Sequence, residues 1–173
     1  MNHYAGVFVF DPLDGMVLCV SDASHPNEFK MAGGMSVNSE TPRETVYREA
    51  TEELRTRVLA STLVLVETVP NKGGLEHKRY FFLADKVSGA LEKGSRWAVK
   101  EEGPGGKVNE KLTAQWVPLR EFADKLFFKQ HPAFGAILMN LACRDSEFCD
   151  SFADLITRFP EPENLGLEGV KVD

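Results

Sequence analysis

The segment from Thr41 to about Arg57 constrains the fold most, because it reads as a helix that must lay one face against a sheet or another helix. Thr41 suits the N-cap and Pro42 the first helical position. Glu44 stands three residues after the cap, where its side chain can return to the cap N–H. At about 100° per residue, Val46, Ala50 and Leu54 form one apolar stripe. Glu49, Glu52 and Glu53 occupy the neighbouring arc. Like charges three and four positions apart cost about 0.2–0.5 kcal/mol per pair on an isolated helix, so the folded protein must offset that repulsion. Two arrangements do so. One is a solvated, salt-bridged face, for which Glu44–Arg48, Arg48–Glu52, Glu52–Arg55 and Glu53–Arg57 all have the required spacing. The other is a divalent cation, since Mg²⁺ and Mn²⁺ accept hard oxygen ligands and the Gly33-Gly34 segment can add a backbone carbonyl.

The rest of the chain supplies a sheet for this helix to cover. Tyr4 to Phe10 and Met16 to Val20 read as strands around an Asp14-Gly15 hairpin signal, and Leu63 to Val69 and Lys78 to Ala84 as strands around the Pro70 to Gly74 turn. Gln115 to Val117 reads as a last strand. Ser21 to Glu28 reads as a polar loop, and Gly89 to Lys111 as a long loop with one short strand around Trp97. Leu119 to Leu126, Pro132 to Cys143 and Phe148 to Phe159 read as helices, followed by a polar tail over about residues 160–173. No internal repeat is visible, and 173 residues fit one mixed α/β domain spanning 1–173.

Charge and cysteine usage narrow the partners. Lys plus Arg total 20 against 26 Asp plus Glu, a net charge of −6, which argues against polymeric nucleic acid or an anionic membrane as the main partner. No apolar run of about 18 residues is present, so no membrane span is expected. Met1 to Phe10 lacks the pattern of a secretory signal. Cys19, Cys143 and Cys149 show no C-x-x-C spacing and suit reduced thiols, so a cytoplasmic location is expected. His3, His25, His77 and His131 lack the helical spacing of a zinc site and read as structural or surface residues.

The wider pattern around the helix resembles the Nudix hydrolase signature, G-x5-E-x7-R-E-U-x-E-E-x-G-U with U aliphatic. Gly34, Glu40, Arg48-Glu49, Ala50 and Glu52-Glu53 match it in one register. Three positions depart: Arg55 stands for the final glycine, Thr56 follows it in place of an aliphatic residue, and Ala32 stands where proline is common. Glycine near a helix C-terminus normally supplies a left-handed cap, so its loss predicts a helix continuing to about Val58, with Arg55 exposed or paired to Glu52.

The resemblance implies an α/β/α sandwich with a mixed central sheet. It also implies a hydrolase of nucleoside diphosphate-X compounds that cleaves the pyrophosphate linkage with Mg²⁺, or Mn²⁺ in its place. By the same analogy Glu49, Glu52 and Glu53 with the Gly33 carbonyl are the metal ligands. Arg48 then orients the glutamates, and Glu40 has a structural or outer role. Glu102 or Glu101, with Glu110 in the same stretch, is the candidate base or added ligand. Lys30, Lys78 and Arg79 are the cations expected to meet the substrate, and Tyr80, Phe82 or Trp97 could stack on a base or sugar. Pro70 resembles a proline at a similar distance past the motif in ADP-ribose pyrophosphatases, which places ADP-ribose or a nucleotide sugar first among substrates. Modified nucleoside triphosphates and dinucleoside polyphosphates follow. The alternative is a non-catalytic nucleotide-binding or regulatory domain. Under either reading the protein is expected to be a monomer or homodimer. Ser24-His25-Pro26 resembles a segment of isopentenyl diphosphate isomerases, but no cysteine adjoins it.

Overall fold

The computed structural model describes residues 2–70, 72–102 and 108–173, with the side chains of 100–102 and 108–110 outside the description. Alternation along the strands builds two cores, one on each face of a single sheet. In β1 (Tyr4–Asp11), Phe8 faces one core while Ala5, Val7 and Val9 face the other. β2 (Met16–Asp22) divides likewise, with Val17 and Cys19 on the first side and Leu18 and Val20 on the second. Beside the second core lies α1 (Pro42–Leu54), whose Val46, Ala50 and Leu54 are fully buried, as the apolar stripe requires. The first core is closed by α2 (Leu119–Lys125) and α3 (His131–Arg144), where Phe8, Phe122 and Phe134 pack ring against ring with centroids 5.4–5.9 Å apart. The result is an α/β/α sandwich.

The remaining strands are β3 (His25–Lys30), β4 (Ala32–Met35), β5 (Arg57–Pro70), β6 (Glu76–Ser88), β7 (Arg96–Glu102) and β8 (Val108–Pro118). The main path runs β5-β6-β1-β2-β8-β7, with β3 added to β2 and β4 to β1. The sheet is mixed because β1 runs parallel to β6, Tyr4 opposite Arg79 and Phe8 opposite Leu83, while the other pairings are antiparallel. β1 also divides along its length: Tyr4 to Val7 pair with β4, and Val9 to Asp11 pair with β2. That divergence leaves the short glycine strand β4 beside α1.

Several elements differ from the sequence expectations. The segment expected as a polar loop contains the first part of β3, where exposed His25, Pro26 and Asn27 take strand conformation through pairing with β2. The expected long loop after Gly89 is largely the β7–β8 hairpin, which places Glu101 opposite Glu110 and Glu102 opposite Val108. The last helix is two, α4 (Ser146–Ser151) and α5 (Ala153–Arg158), interrupted at Phe152. The tail is irregular but anchored: Val66 N–H donates to the Leu165 carbonyl at 2.9 Å, Arg43 N–H to the Val172 carbonyl at 3.0 Å, and Arg43 Nε to Asp173 at 2.6 Å.

The largest correction concerns the end of α1. The helix stops at Leu54, and Arg55 adopts the left-handed conformation itself, at φ 51° and ψ 35°. In that position both the Arg55 and Thr56 N–H groups donate to the Ala50 carbonyl, and the buried Thr56 hydroxyl donates to the Leu54 carbonyl at 2.9 Å. The missing glycine therefore does not lengthen the helix. The turn is imposed by the entry of β5 into the sheet at Arg57, and Arg55 carries the conformational cost.

Candidate functional site

The N-terminus of α1 forms as its residues dictate. Glu44 N–H donates to Thr41 Oγ1 at 3.2 Å, and Thr41 N–H donates back to Glu44 Oε1 at 3.4 Å. This fixes the helix start, and helical spacing then fixes where the acids fall. Glu49 and Glu53 are 5% and 2% exposed against the sheet, whereas the Glu52 side chain is 49% exposed. A solvated salt-bridged face does not bury two carboxylates of three. Of the spaced pairs expected on such a face, Arg48–Glu52 forms, at 3.2 Å.

β4 receives these carboxylates. Gly33 N–H donates to Glu53 Oε1 at 2.8 Å. At Gly34, a Cβ would fall 2.2 Å from Glu49 Oε1, so only glycine leaves room for that carboxylate. At Gly33, a Cβ would meet the Tyr4 hydroxyl at 2.5 Å and the Ala5 carbonyl oxygen at 2.6 Å. The two glycines thus let a strand backbone approach the acids directly.

Arg48 ties the cluster together. Its Nε and Nη2 donate to the two Glu40 oxygens at 2.6 and 3.1 Å, Nη1 to Glu49 Oε1 at 2.9 Å and to Glu52 Oε2 at 3.2 Å, and Nη2 to the Met35 carbonyl at 2.9 Å. Glu40 also accepts from Val37 N–H and from the Thr45 hydroxyl, each at 3.0 Å. The Arg48 hydrogen bonds are the main reason the Glu40 carboxyl is held down to about 2. His3, expected to be a structural or surface residue, is buried: its Nε2 lies 3.0 Å from Thr45 Oγ1, and burial lowers its pKa.

The Glu40–Arg48 pair carries a testable consequence. The folded-state pKa of Glu40 lies below its ordinary 4.5, so its contribution to stability is complete above about pH 5 and is lost as pH falls toward 2. Hydrogen bonds to charged groups are worth about 1.5–3 kcal/mol. Glu40→Gln is therefore expected to lower Tm by about 3–10 °C at pH 7, by a gap that shrinks as pH drops from 5 toward 2. Thermal melts of both proteins across that range check it, and a gap that does not change with pH contradicts it.

A cavity of about 1350 Å³ opens above the acids. Glu49, Glu52, Glu53, Arg48, Gly33 and Gly34 line it, together with Lys30 and Arg79 of the expected cations and Trp97 of the expected aromatics. Lys78 is exposed, opposite Thr68 on β5, and is not part of the lining. Phe82 lies in the core beside α1, and Tyr80 packs edge-on against His3. The side chains of Glu101, Glu102 and Glu110 lie outside the described residues. Pro70 lines the cavity at the end of β5. The Ser24-His25 segment lies at the exposed β2–β3 turn, away from this lining.

Arg79 is partly engaged by the protein. Its guanidinium lies 5.5 Å from the Tyr4 ring and 5.2 Å from the Phe81 ring, and its Nε is 3.6 Å from Glu67, whose pKa is raised by burial against the pull of Arg79. Lys30 rests over the Phe127 ring at 4.6 Å. The sequence reading missed Tyr4, Glu67, Phe127, Phe128 and Gln130 as lining residues. Gln130 is buried and accepts from Met31 N–H at 2.7 Å, which joins the α2–α3 connection to the strand before Gly33. Burial first, and then the nearby Glu53 charge, pushes the Tyr4 phenol up, so it stays protonated. The adjacent aromatics Phe127-Phe128, the first half-buried and the second exposed, were a sequence signal for this side of the cavity.

The donor set suits a hard divalent ion: carboxylate oxygens and backbone carbonyls on a glycine strand, with no thiolate or imidazole among the expected ligands. Among the described residues no three His, Cys, Asp or Glu side chains converge into a closed metal cage. The arrangement is an open one, with Glu49 and Glu53 packed at β4 and Glu52 held by Arg48.

The family model described as NUDIX domain matches residues 2–138. No curated protein matches the sequence. Among solved structures, the E. coli ORF135 protein is 18% identical, with 83% of this chain and 93% of that one covered at a TM-score of 0.60. A MutT protein from Bacillus halodurans is 21% identical over 73% of this chain and 74% of its own, at 0.52. A MutT structure from a study of Aliivibrio salmonicida and Vibrio cholerae is 14% identical over 91% and 98%, at 0.51. At these identities the structures bear on the fold, and they agree with the mixed sheet between helical layers. Among the described residues no helix is long and apolar enough to cross a membrane. The matched span takes in the glycine strand, the capped helix and the sheet on which both rest, and on that match the chain belongs to the NUDIX family, as a Nudix-type hydrolase.

Proposed function

We propose that this protein is a divalent-metal-dependent hydrolase of nucleoside diphosphate-X compounds that cleaves the pyrophosphate linkage. The observation that carries the proposal is the burial of Glu49 and Glu53 against Gly33 and Gly34 at the cavity wall. Glu49, Glu52, Glu53 and the Gly33 carbonyl would hold Mg²⁺, with Mn²⁺ as the substitute. When bound, such an ion neutralises the diphosphate oxygens and makes a water more acidic than bulk.

The chain's own residues do the rest. Arg48 fixes Glu49 and Glu52 by direct hydrogen bonds and is itself anchored by Glu40, so the acids are oriented before substrate arrives. Glu52 is exposed and shares Arg48 with Glu49, so it can exchange that partner for a cation with little rearrangement of the fold. Glu102, at the end of β7 next to a shift in the strand register, is assigned as the general base or an added ligand. Lys30 and Arg79, which line the cavity, meet the anionic substrate.

The cavity exceeds the roughly 300–1,000 Å³ of ordinary small-molecule sites, which favours a substrate with a moiety on each side of the diphosphate. ADP-ribose or a nucleotide sugar comes first, then modified nucleoside triphosphates and dinucleoside polyphosphates. Purified protein should release a nucleoside monophosphate from at least one member of this panel with Mg²⁺ present, and lose that activity when EDTA is added. Hydrolysis that survives EDTA refutes the proposal. Nucleotide binding without hydrolysis across the panel would refute it in favour of a non-catalytic domain.

A further inference from the structure

Two local costs meet at one contact on the cavity wall. Arg55 is a non-glycine residue held at φ 51°, where the family pattern has glycine and an L side chain is strained. Trp97 Nε1 is a buried N–H with no acceptor among the described residues. The two side chains touch: the Arg55 guanidinium carbon stands 4.3 Å from the centre of the Trp97 ring. Arg55 ends the helix that carries the acids, while Trp97 sits on β7, which among the described residues is the end strand of the sheet and pairs with β8. Trp97 also lines the cavity shared by Glu52 and Glu53.

We propose that Arg55 is a positioning residue that clamps Trp97 into the cavity wall, so that the indole contacts the substrate moiety farther from the acids. A strand at the sheet's end is the least restrained wall of the site, and the indole N–H has no hydrogen bond among the described residues to fix it. A planar cation stacked on the ring supplies the missing restraint from the helix side, without occupying the cavity. Glycine would relieve the backbone and leave the ring loose. The arginine therefore exchanges a favourable cap for a preorganised wall.

This inference rests on the proposed hydrolase reading for its kinetics and stands apart from it in its spectroscopy. Trp97 and Trp116 are the two tryptophans, so Trp116→Phe isolates the emission of Trp97. In that background, Arg55→Gly is expected to raise the acrylamide quenching constant of Trp97 about twofold, with Tm unchanged or higher. With ADP-ribose and Mg²⁺, or the best substrate of the panel, Arg55→Gly is expected to raise KM about 3- to 20-fold while kcat stays within about twofold. Arg55→Ala should raise KM equally but lower Tm, because it keeps the strain. Arg55→Lys should fall between wild type and glycine, since it keeps the charge and loses the planar stack. Unchanged quenching and KM in Arg55→Gly overturn the proposal, as does a fall in kcat with KM held. If no panel member is hydrolysed, the hydrolase reading fails, and the quenching comparison still decides whether Arg55 holds Trp97.

Discussion

Glu53→Gln is expected to lower kcat by on the order of 10²–10³-fold while the folded protein stays intact. The amide is nearly isosteric, and its oxygen can still accept the Gly33 N–H that Glu53 accepts at 2.8 Å, so β4 keeps its seat on α1. What disappears is the negative charge on a group that is 2% exposed. A buried carboxylate exerts its field on a bound cation with little screening by water, so its loss is felt at the reacting diphosphate far more than in the fold. The check is steady-state hydrolysis with Mg²⁺ in excess, alongside a thermal melt. Activity within tenfold of wild type would remove Glu53 from the metal-binding set, and a collapse of Tm would show that its charge serves the fold.

What could be read from residues alone divides along physical lines. The start of α1 was legible because Thr41, Pro42 and Glu44 act on backbone groups within one turn, and the stripe of Val46, Ala50 and Leu54 follows from helical spacing. The shared arc of the acids followed from the same periodicity, whereas Arg48 as their tether followed from the family resemblance, and its hydrogen bonds to Glu49 and Glu52 are present. The end of α1 was not legible. Propensity treats a left-handed arginine as unfavourable, and the contact with Trp97 that accompanies it here lies 42 positions away in sequence (97 − 55 = 42). β3 was missed for a related reason: His25 to Glu28 have the composition of a loop and become a strand only because β2 offers hydrogen bonds. Gln130 is the extreme case. It enters the site by accepting from Met31 N–H, and no local rule links a residue between two C-terminal helices to the β3–β4 junction 99 positions earlier. Lys78 and Arg79 are adjacent in sequence, but alternation along β6 sets Arg79 on the cavity wall and Lys78 on the exposed face.

The two glycines of β4 offer a separation of stability from catalysis that few adjacent residues allow. At Gly33 an added Cβ would fall 2.6 Å from the Ala5 carbonyl oxygen and 2.8 Å from Gly6 Cα, both parts of the β1 backbone. Neither can yield without parting β4 from β1, so Gly33→Ala is expected to cost about 1–3 kcal/mol of stability, a fall in Tm of about 2–10 °C. At Gly34 the added Cβ would meet Glu49 Oε1 at 2.2 Å and Glu49 Cδ at 2.7 Å, the far end of a flexible side chain. Glu49 can turn aside, and it would take with it an oxygen that also accepts from Arg48 at 2.9 Å. Gly34→Ala is therefore expected to leave Tm within a few degrees and lower kcat by on the order of 10–100-fold, because a carboxylate displaced by about 1 Å no longer presents its charge where the chemistry needs it. Paired melts and kinetics on the two variants test the assignment directly. If Gly34→Ala unfolds the protein, or if it retains full activity, Glu49 is not the group that makes this strand's second glycine necessary.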